Sequence, residues 1–339
     1  MSKHANLIKA KNVKNDEFYT RLEDIEKELN SYDPKVFNNK VIFCNCDDPT
    51  SSNFWNFFHM NFNRLGLKKL ISTHYNMDGS PSCKMEYASK DPKDDVVLGK
   101  GIKKPLKGNG DFRSDECIKL LKQSDLVVTN PPFSLAREYV AELEKYNKQF
   151  IIIGDLNWIT YKEIFPLIKE NKVWLGYTKV KEFKQHDGTY KKFGNKLWFT
   201  NVDTTKRHHK LETDYHWCKC KEKYPDLYPK YDNYDAIEVG KVLQIPLDYD
   251  GIMGVPITFL DKYLPDQFEI IKFRKGDDDK DLCYTINDKV KQPYFRILIK
   301  NKHPKDYMND AGNGDDLSKI KDYNFNHMPC NINLPVSVF

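Results

Sequence analysis

Up to about residue 205, short runs of β-forming residues take turns with stretches in which apolar residues recur every three or four positions. These are the periods of strand and helix. Leu22, Ile25 and Leu29 sit at helical spacing behind Thr20-Arg21-Leu22-Glu23, which fits the S/T-x-x-E capping box, and predict a helix over about 20–31. "KVIFCNC" (40–46) and "LKKLISTHY" (67–75) predict strands. The stretch 51–66 between them predicts a helix capped by Ser51 or Ser52 and closed by Gly66. Further on, 114–124 predicts a helix, 125–130 a strand, 134–146 a helix, 149–156 a strand and 160–171 a helix. "KVWLGYT" and "KLWFTNV" predict two strands joined by a polar hairpin over 179–195. Residues 76–107, rich in Lys, Asp, Gly and Pro, predict a surface insertion.

Strands alternating with helices imply βαβ units and a parallel sheet, with the closing strand pair as an antiparallel edge. After residue 205 the pattern changes. Residues 206–250 are crowded with Tyr, His, Lys and Pro and show little periodicity, whereas "GVPITFL", "FEIIKF" and "PYFRILIK" are β-like. A domain boundary near 205 is therefore expected, followed by a smaller α+β region.

Composition narrows the class. With 339 residues, 40% of them hydrophobic, the chain has material for a large core, and a net charge of +5 permits a polyanionic partner without requiring one. No stretch has the roughly 20 apolar residues of a membrane span. The N-terminal stretch lacks an apolar signal core, and the eight cysteines form no regular framework, so a cytoplasmic protein with free thiols is expected. His208, His209, His216, Cys218 and Cys220 lie close together, but their spacing is not that of paired zinc ligands, and no metal is expected.

In open parallel sheets, ligands bind beyond the carboxyl ends of the strands. Four loops leave that edge here: Cys46-Asp47-Asp48-Pro49, His74-Tyr75-Asn76, Gly108-Asn109-Gly110-Asp111-Phe112 and Asn130-Pro131-Pro132-Phe133. Neither the P-loop nor G-x-G-x-x-G is present. Acids and amides on one rim suit a positively charged cofactor with a ribose and an adenine.

Asn-Pro-Pro-Phe behind an apolar strand resembles the signature of amino-group methyltransferases that use S-adenosylmethionine. "DEFYT", "CNCDDP", "GNGDFRS", "VVTNPPFSL", "PKYDNYDAI", "IPLDYDGIMGVPITFL" and "YFRILIKNK" extend the likeness, and from about residue 15 to 302 the chain resembles the EcoRI-type adenine-specific DNA methyltransferases. The resemblance implies a Rossmann-like fold with a mostly parallel seven-stranded sheet and helices on both faces. It implies a catalytic domain over 1–205, a target-recognition region over 206–339, and methylation of the inner adenine of GAATTC in double-stranded DNA by a monomer. It places Asn130, Pro131, Pro132 and Phe133 at the reacting base. Two acceptors, the Asn130 side chain and the Pro131 carbonyl, hold the adenine amino hydrogens, the prolines keep them rigid, and Phe133 stacks on a base turned out of the duplex.

Cofactor residues carry over motif by motif. Phe18, Tyr19 and Thr20 match the element that meets the methionine portion, although Thr20 also fits a helix cap. Asp47 or Asp48, beside Pro49, meets the methionine amino group, and Ser51 and Ser52 stand where such enzymes generally have glycines. Asn76 or His74 stands where an acid usually holds the ribose. Asp111 suits the adenine amino group and Phe112 the ring, while a Gly-Asp turn is the structural alternative for Asp111. RNA adenine and protein glutamine methyltransferases share the Asn-Pro-Pro-aromatic element, and a non-catalytic nucleic-acid-binding module is a third possibility. The basic and aromatic residues after 205 favour nucleic acid.

Overall fold

The computed structural model describes residues 19–88, 101–185 and 188–305. A two-residue strand, β1 (Tyr19–Thr20), leads into α1 (Leu22–Leu29). The predicted capping box is not formed. Thr20 belongs to the strand and is buried, and Arg21 takes the cap position with its side chain on Asp24 at 3.0 Å. The chain continues through β2 (Val41–Cys44), α2 (Asn53–Met60), β3 (Lys69–Thr73), β4 (Cys83–Tyr87) and β5 (Ile102–Pro105). Then come α3 (Asp115–Gln123), β6 (Leu126–Thr129), α4 (Ala136–Lys145), β7 (Gln149–Asp155), α5 (Phe165–Lys169) and the long strands β8 (Trp174–Lys184) and β9 (Tyr190–Thr200).

Two helices are shorter than their apolar pattern. α2 stops at Met60 because the Asn61 side chain turns back onto the Phe57 carbonyl at 2.8 Å, and turns then run to Gly66 at φ +64°. α5 opens only at Phe165, with Pro166 in its first turn, and the residues before it form a 3₁₀ turn over Leu156–Thr160.

Among the described residues, these strands make one sheet of nine in the order β1-β8-β9-β7-β6-β2-β3-β4-β5. Four adjacent strands, β7, β6, β2 and β3, are parallel, and the other five join antiparallel on both sides. The expected mostly parallel seven-stranded sheet is thus corrected to a mixed sheet of nine. The difference lies in strands without a hydrophobic signature. β5, inside the expected insertion, is exposed along its length and is held by its ladder to β4. There Lys84 and Lys104 gather with Lys69 around the Glu86 carboxylate at 3.0–3.6 Å.

Alternation in the parallel strands sorts the core into two layers. Ile42, Leu126, Val128 and Ile151 pack with Ile25 and Leu29 of α1 and Phe54, Phe57 and Phe58 of α2. Phe43, Val127, Phe150 and Ile152 pack on the other face with Ile118 and Leu121 of α3 and Tyr139, Val140 and Leu143 of α4. β2 and β6, buried on both sides, are accordingly apolar except for Thr129 at the end of β6.

The rest of the chain adds α6 (Trp217–Lys223), β10 (Ile237–Glu238), β11 (Ile252–Pro256), β12 (Phe268–Phe273), a ribbon of β13 (Tyr284–Ile286) and β14 (Lys289–Lys291), and β15 (Arg296–Asn301). A second sheet orders them β10-β11-β15-β12. Its inner residues, among them Met253, Val255, Phe268 and Ile299, share one apolar cluster with α3 and α4. Phe165 of α5 meets Phe273 with ring centres 5.3 Å apart, and Lys169 donates to the Ile271 carbonyl at 2.7 Å.

One buried acid pins the first helix to the sheet. Glu28 accepts from the Tyr177 and Thr178 backbone N–H groups at 2.8 and 2.7 Å and from the Thr178 hydroxyl at 2.7 Å. Gly176 leaves the room, since a Cβ there would lie 2.2 Å from a Glu28 oxygen. Burial raises the Glu28 pKa against those hydrogen bonds. Glu28→Ala strands these three donors and should lower stability by about 3 kcal/mol, read from the midpoint of urea unfolding.

Candidate active site

The chain leaves β2 toward β3 on one side, whereas β6 and β7 lie on the other. The direction of winding reverses between β2 and β6, so a crevice opens beyond their carboxyl ends, the position at which open α/β sheets bind ligands. The loop after β2 carries Asp47 and the loop after β6 carries Asn130.

Asp47 joins the two loops. Its carboxylate accepts from the Ser52 hydroxyl at 3.0 Å, from the Thr129 hydroxyl at the end of β6 and from the Asn130 backbone N–H. Its own N–H donates to the Thr73 carbonyl of β3 at 3.0 Å, and the Ser72 hydroxyl donates to its carbonyl at 2.5 Å. The residue is 9% exposed. Burial is the leading effect and lifts the carboxyl pKa to about 7, although the three hydrogen bonds pull it down. Asp48 does something different. It is half-buried and ties a turn by accepting from the Thr50 N–H and hydroxyl at 2.9 and 2.7 Å. Pro49 is buried in that turn, and Ser52 caps α2 through the Phe54 N–H at 3.1 Å. Neighbouring Asn45, buried, accepts from the Tyr139 hydroxyl of α4.

Asn130, Pro131 and Pro132 turn the chain off β6 into a short 3₁₀ turn over Phe133–Leu135. Pro131 is buried and Asn130 half-buried. Phe133 stands in a ring of aromatics, 6.4 Å from Trp158 and 6.2 Å from Phe183, and Phe183 lies 5.5 Å from Phe193. Lys196, buried, sets its ammonium 3.9 Å from the centre of the Phe133 ring and 2.7 Å from Asp155 at the end of β7. Sequence reasoning missed Asn45, Thr129, Tyr139, Asp155 and Lys196. Lys196 stands opposite Asp155 across an antiparallel pairing, and that register is invisible in the residue order.

The loop 108–111 folds against the end of β3. The Asn76 N–H donates to the Asn109 carbonyl at 2.8 Å, the Ser82 N–H to the Gly108 carbonyl at 2.9 Å, and Gly110, at φ +83°, lies where a Cβ would sit 1.9 Å from the His74 carbonyl oxygen. Only glycine fits there. Asn76 and Asp111 are thereby brought to one corner, beside an open cleft of about 420 Å³ lined by His74, Asn76, Ser82 and Lys103. The Asp111 carboxylate holds Arg113 at 2.7 Å and caps its N–H at 2.8 Å, and this contact keeps its pKa below the usual range. The Asn76 side chain spans its own turn to the Pro81 carbonyl at 3.0 Å, and Phe112 is buried edge-on against Tyr139 at 5.1 Å.

β1 brings the N-terminal element to the same edge. Tyr19 pairs with Lys184 and Thr20 with Phe183, and the Asn53 side chain at the start of α2 donates to the Thr20 carbonyl at 2.8 Å. The Thr20 hydroxyl is buried and has no hydrogen-bond partner among the described residues. Phe18 lies outside them. The buried Asp47 carboxyl and the orphaned Thr20 hydroxyl lie at the carboxyl edge of the sheet, and the open cleft lies beyond the end of β3. No group of three His, Cys, Asp or Glu side chains is placed to hold a metal ion among the described residues.

A doubly wound α/β enzyme with a small-molecule rim, and an amide on a proline corner beside it, has the architecture of a methyltransferase. The chain belongs to the family described as "Adenine-specific methyltransferase EcoRI", whose model matches residues 6–306. It is 50% identical over 330 residues to the Type II methyltransferase M.EcoRI of Escherichia coli, a match covering 87% of this chain and 96% of that protein. It is 40% identical over 328 residues to the Type II methyltransferase M.MpnI of Mycoplasma pneumoniae (87% and 97% of the two chains) and 42% identical over 332 residues to M.MgeORF184P of Mycoplasma genitalium (87% and 98%). No solved structure matches the chain.

The raised pKa of Asp47 sets a sign for stability. The folded state holds the proton more tightly than the unfolded chain, so this contribution is complete below about pH 4 and is lost as pH rises through about 7. Asp47→Asn stays neutral throughout. Its stability relative to the wild type should therefore rise between about pH 4 and about pH 8. Urea unfolding across that range measures it, and a pH-independent difference would remove Asp47 as the titrating group.

Proposed function

We propose that this protein transfers a methyl group from S-adenosylmethionine to N6 of an adenine turned out of double-stranded DNA, within a restriction-modification system. The observation that carries the proposal is the position of Asn130-Pro131-Pro132-Phe133, which begins at the carboxyl end of β6 and is tied through the Asn130 N–H to Asp47 in the crevice. The cofactor supplies an electrophilic methyl group on a sulfonium. Asp47 receives its ammonium, with the Thr20 hydroxyl close to the same end, and the corner of Asn76 and Asp111 receives its nucleoside. Asp47 meets that ammonium as the carboxylate, so binding favours loss of its proton.

Adenine N6 is a poor nucleophile because its lone pair is delocalised into the ring. The Asn130 side-chain oxygen and the Pro131 carbonyl accept its two hydrogens, draw the nitrogen toward tetrahedral geometry and free the lone pair. Pro131 and Pro132 fix the backbone there, so the acceptors do not reorganise during the reaction. Phe133 offers a ring face to the extruded base and is steadied from its other neighbours by Trp158, Phe183 and the Lys196 ammonium. Residues from 206 onward, with the second sheet, form the region that reads the DNA. The proposed site is GAATTC, and one chain holds every group named.

Sequencing of DNA methylated by the purified protein tests the substrate, base and site together. Methylation of RNA or of a protein glutamine in place of duplex adenine would overturn the assignment. Within the site, Asn130→Ala should slow single-turnover methyl transfer by about 100-fold or more while leaving cofactor affinity, read by calorimetry, nearly unchanged. Phe133→Ala should also weaken capture of the flipped base, by roughly 1–3 kcal/mol, reported by 2-aminopurine fluorescence at the target position. Wild-type rates in Asn130→Ala would reduce the motif to a strand-ending turn.

A further inference from the structure

The last ladder pair between β7 and β9 is Asp155 with Lys196. Residues Tyr190 to Asn195 therefore run on past the carboxyl rim of the sheet, where the site lies. At about 3.3 Å per residue they extend roughly 20 Å beyond it. Their partner is the outer half of β8, through Glu182 with Lys192 and Lys184 with Tyr190, and the two residues of β1 cover the far edge.

The inner side of this ribbon is apolar and docked on the site. Phe183 is buried against Phe133 and Phe193. Its outer positions are basic. Lys181, Lys184 and Lys192 are exposed, and Tyr190 is 55% exposed. The single acid on the two described strands, Glu182, is taken up by Arg21 at 2.9 Å. Lys181, Lys184 and Lys192 have no carboxylate partner among the described residues. A solvated arm would not need an anchor of buried aromatics on the catalytic ring, and its charge would be free to mix in sign.

The geometry points to the β8–β9 ribbon as an arm that binds the phosphate backbone of duplex DNA beside the target base, through Lys181, Lys184 and Lys192. This inference rests on the proposed DNA substrate. Through Phe183 the arm is coupled to Phe133, so a backbone held on the ribbon lies next to the ring that receives the base. The contacts are with phosphates, so they position the duplex and carry no sequence information.

The test compares the wild type with a triple variant, Lys181→Gln, Lys184→Gln and Lys192→Gln, and with the corresponding triple Arg variant. Affinity for a fluorescent duplex carrying GAATTC is measured as a function of potassium chloride concentration. Each lost phosphate contact lowers the log–log slope by about 0.9, so the Gln variant should lose up to about 3 units of slope and the Arg variant should keep them. Cofactor affinity and the methylation rate at saturating DNA should stay at wild-type levels in both variants. An unchanged slope in the Gln variant, with wild-type methylation intact, overturns the arm and leaves the proposed function standing. A wild-type protein that neither binds nor methylates duplex DNA overturns both.

Discussion

A single buried carboxylate holds the two halves of the site together. Asp47 comes from the loop after β2, yet its hydrogen bonds go to Thr129 and Asn130 of β6 and to Ser52 at the start of α2, while its backbone is bound to Ser72 and Thr73 of β3. Three strand ends are thereby locked in one register around one group. An isolated buried charge is costly, and here the cost is met by three donors and by a pKa lifted to about 7. The loop after β2 and the proline corner after β6 are therefore not independent. What fixes the proline corner also sets the protonation of the acid beside it.

The second constraint is rigidity at the proline corner. Pro131 and Pro132 remove backbone freedom, and the aromatic ring of Trp158, Phe183 and Phe193 removes side-chain freedom from Phe133. Lys196 is buried with its side-chain nitrogen beside Asp155 and over the Phe133 ring. Burying a lysine is costly unless a carboxylate and π-faces replace water around its side-chain nitrogen. Both replacements come from elements far apart in the chain, β7 on one hand and the corner after β6 on the other.

The second sheet packs through the same apolar cluster as α3 and α4, with Phe165 against Phe273 at the junction. The large sheet and the region after residue 205 consequently share a core.

Much of this was legible from residue order. The parallel strands β2, β3, β6 and β7 announced themselves as apolar runs because both their faces are buried, and Asn130 to Phe133 stood out because two prolines must end a strand. The rim loops followed from the rule that ligands lie beyond carboxyl strand ends. Strands with little or no apolar signature were not legible. β5 is exposed, β1 is two residues long, and their existence depends on ladder partners supplied by the fold. The capping pattern at Thr20 was local and was overridden, because pairing with Phe183 of β8 draws that residue into the sheet. Choosing Asp47 over Asp48 as the buried acid, bringing Lys196 under Phe133 and carrying β9 past the rim all require long-range register. Composition and periodicity are properties of neighbours along the chain and establish which segments can be strands or helices. Which side chains converge is decided by pairings between distant segments, and only the folded structure contains them.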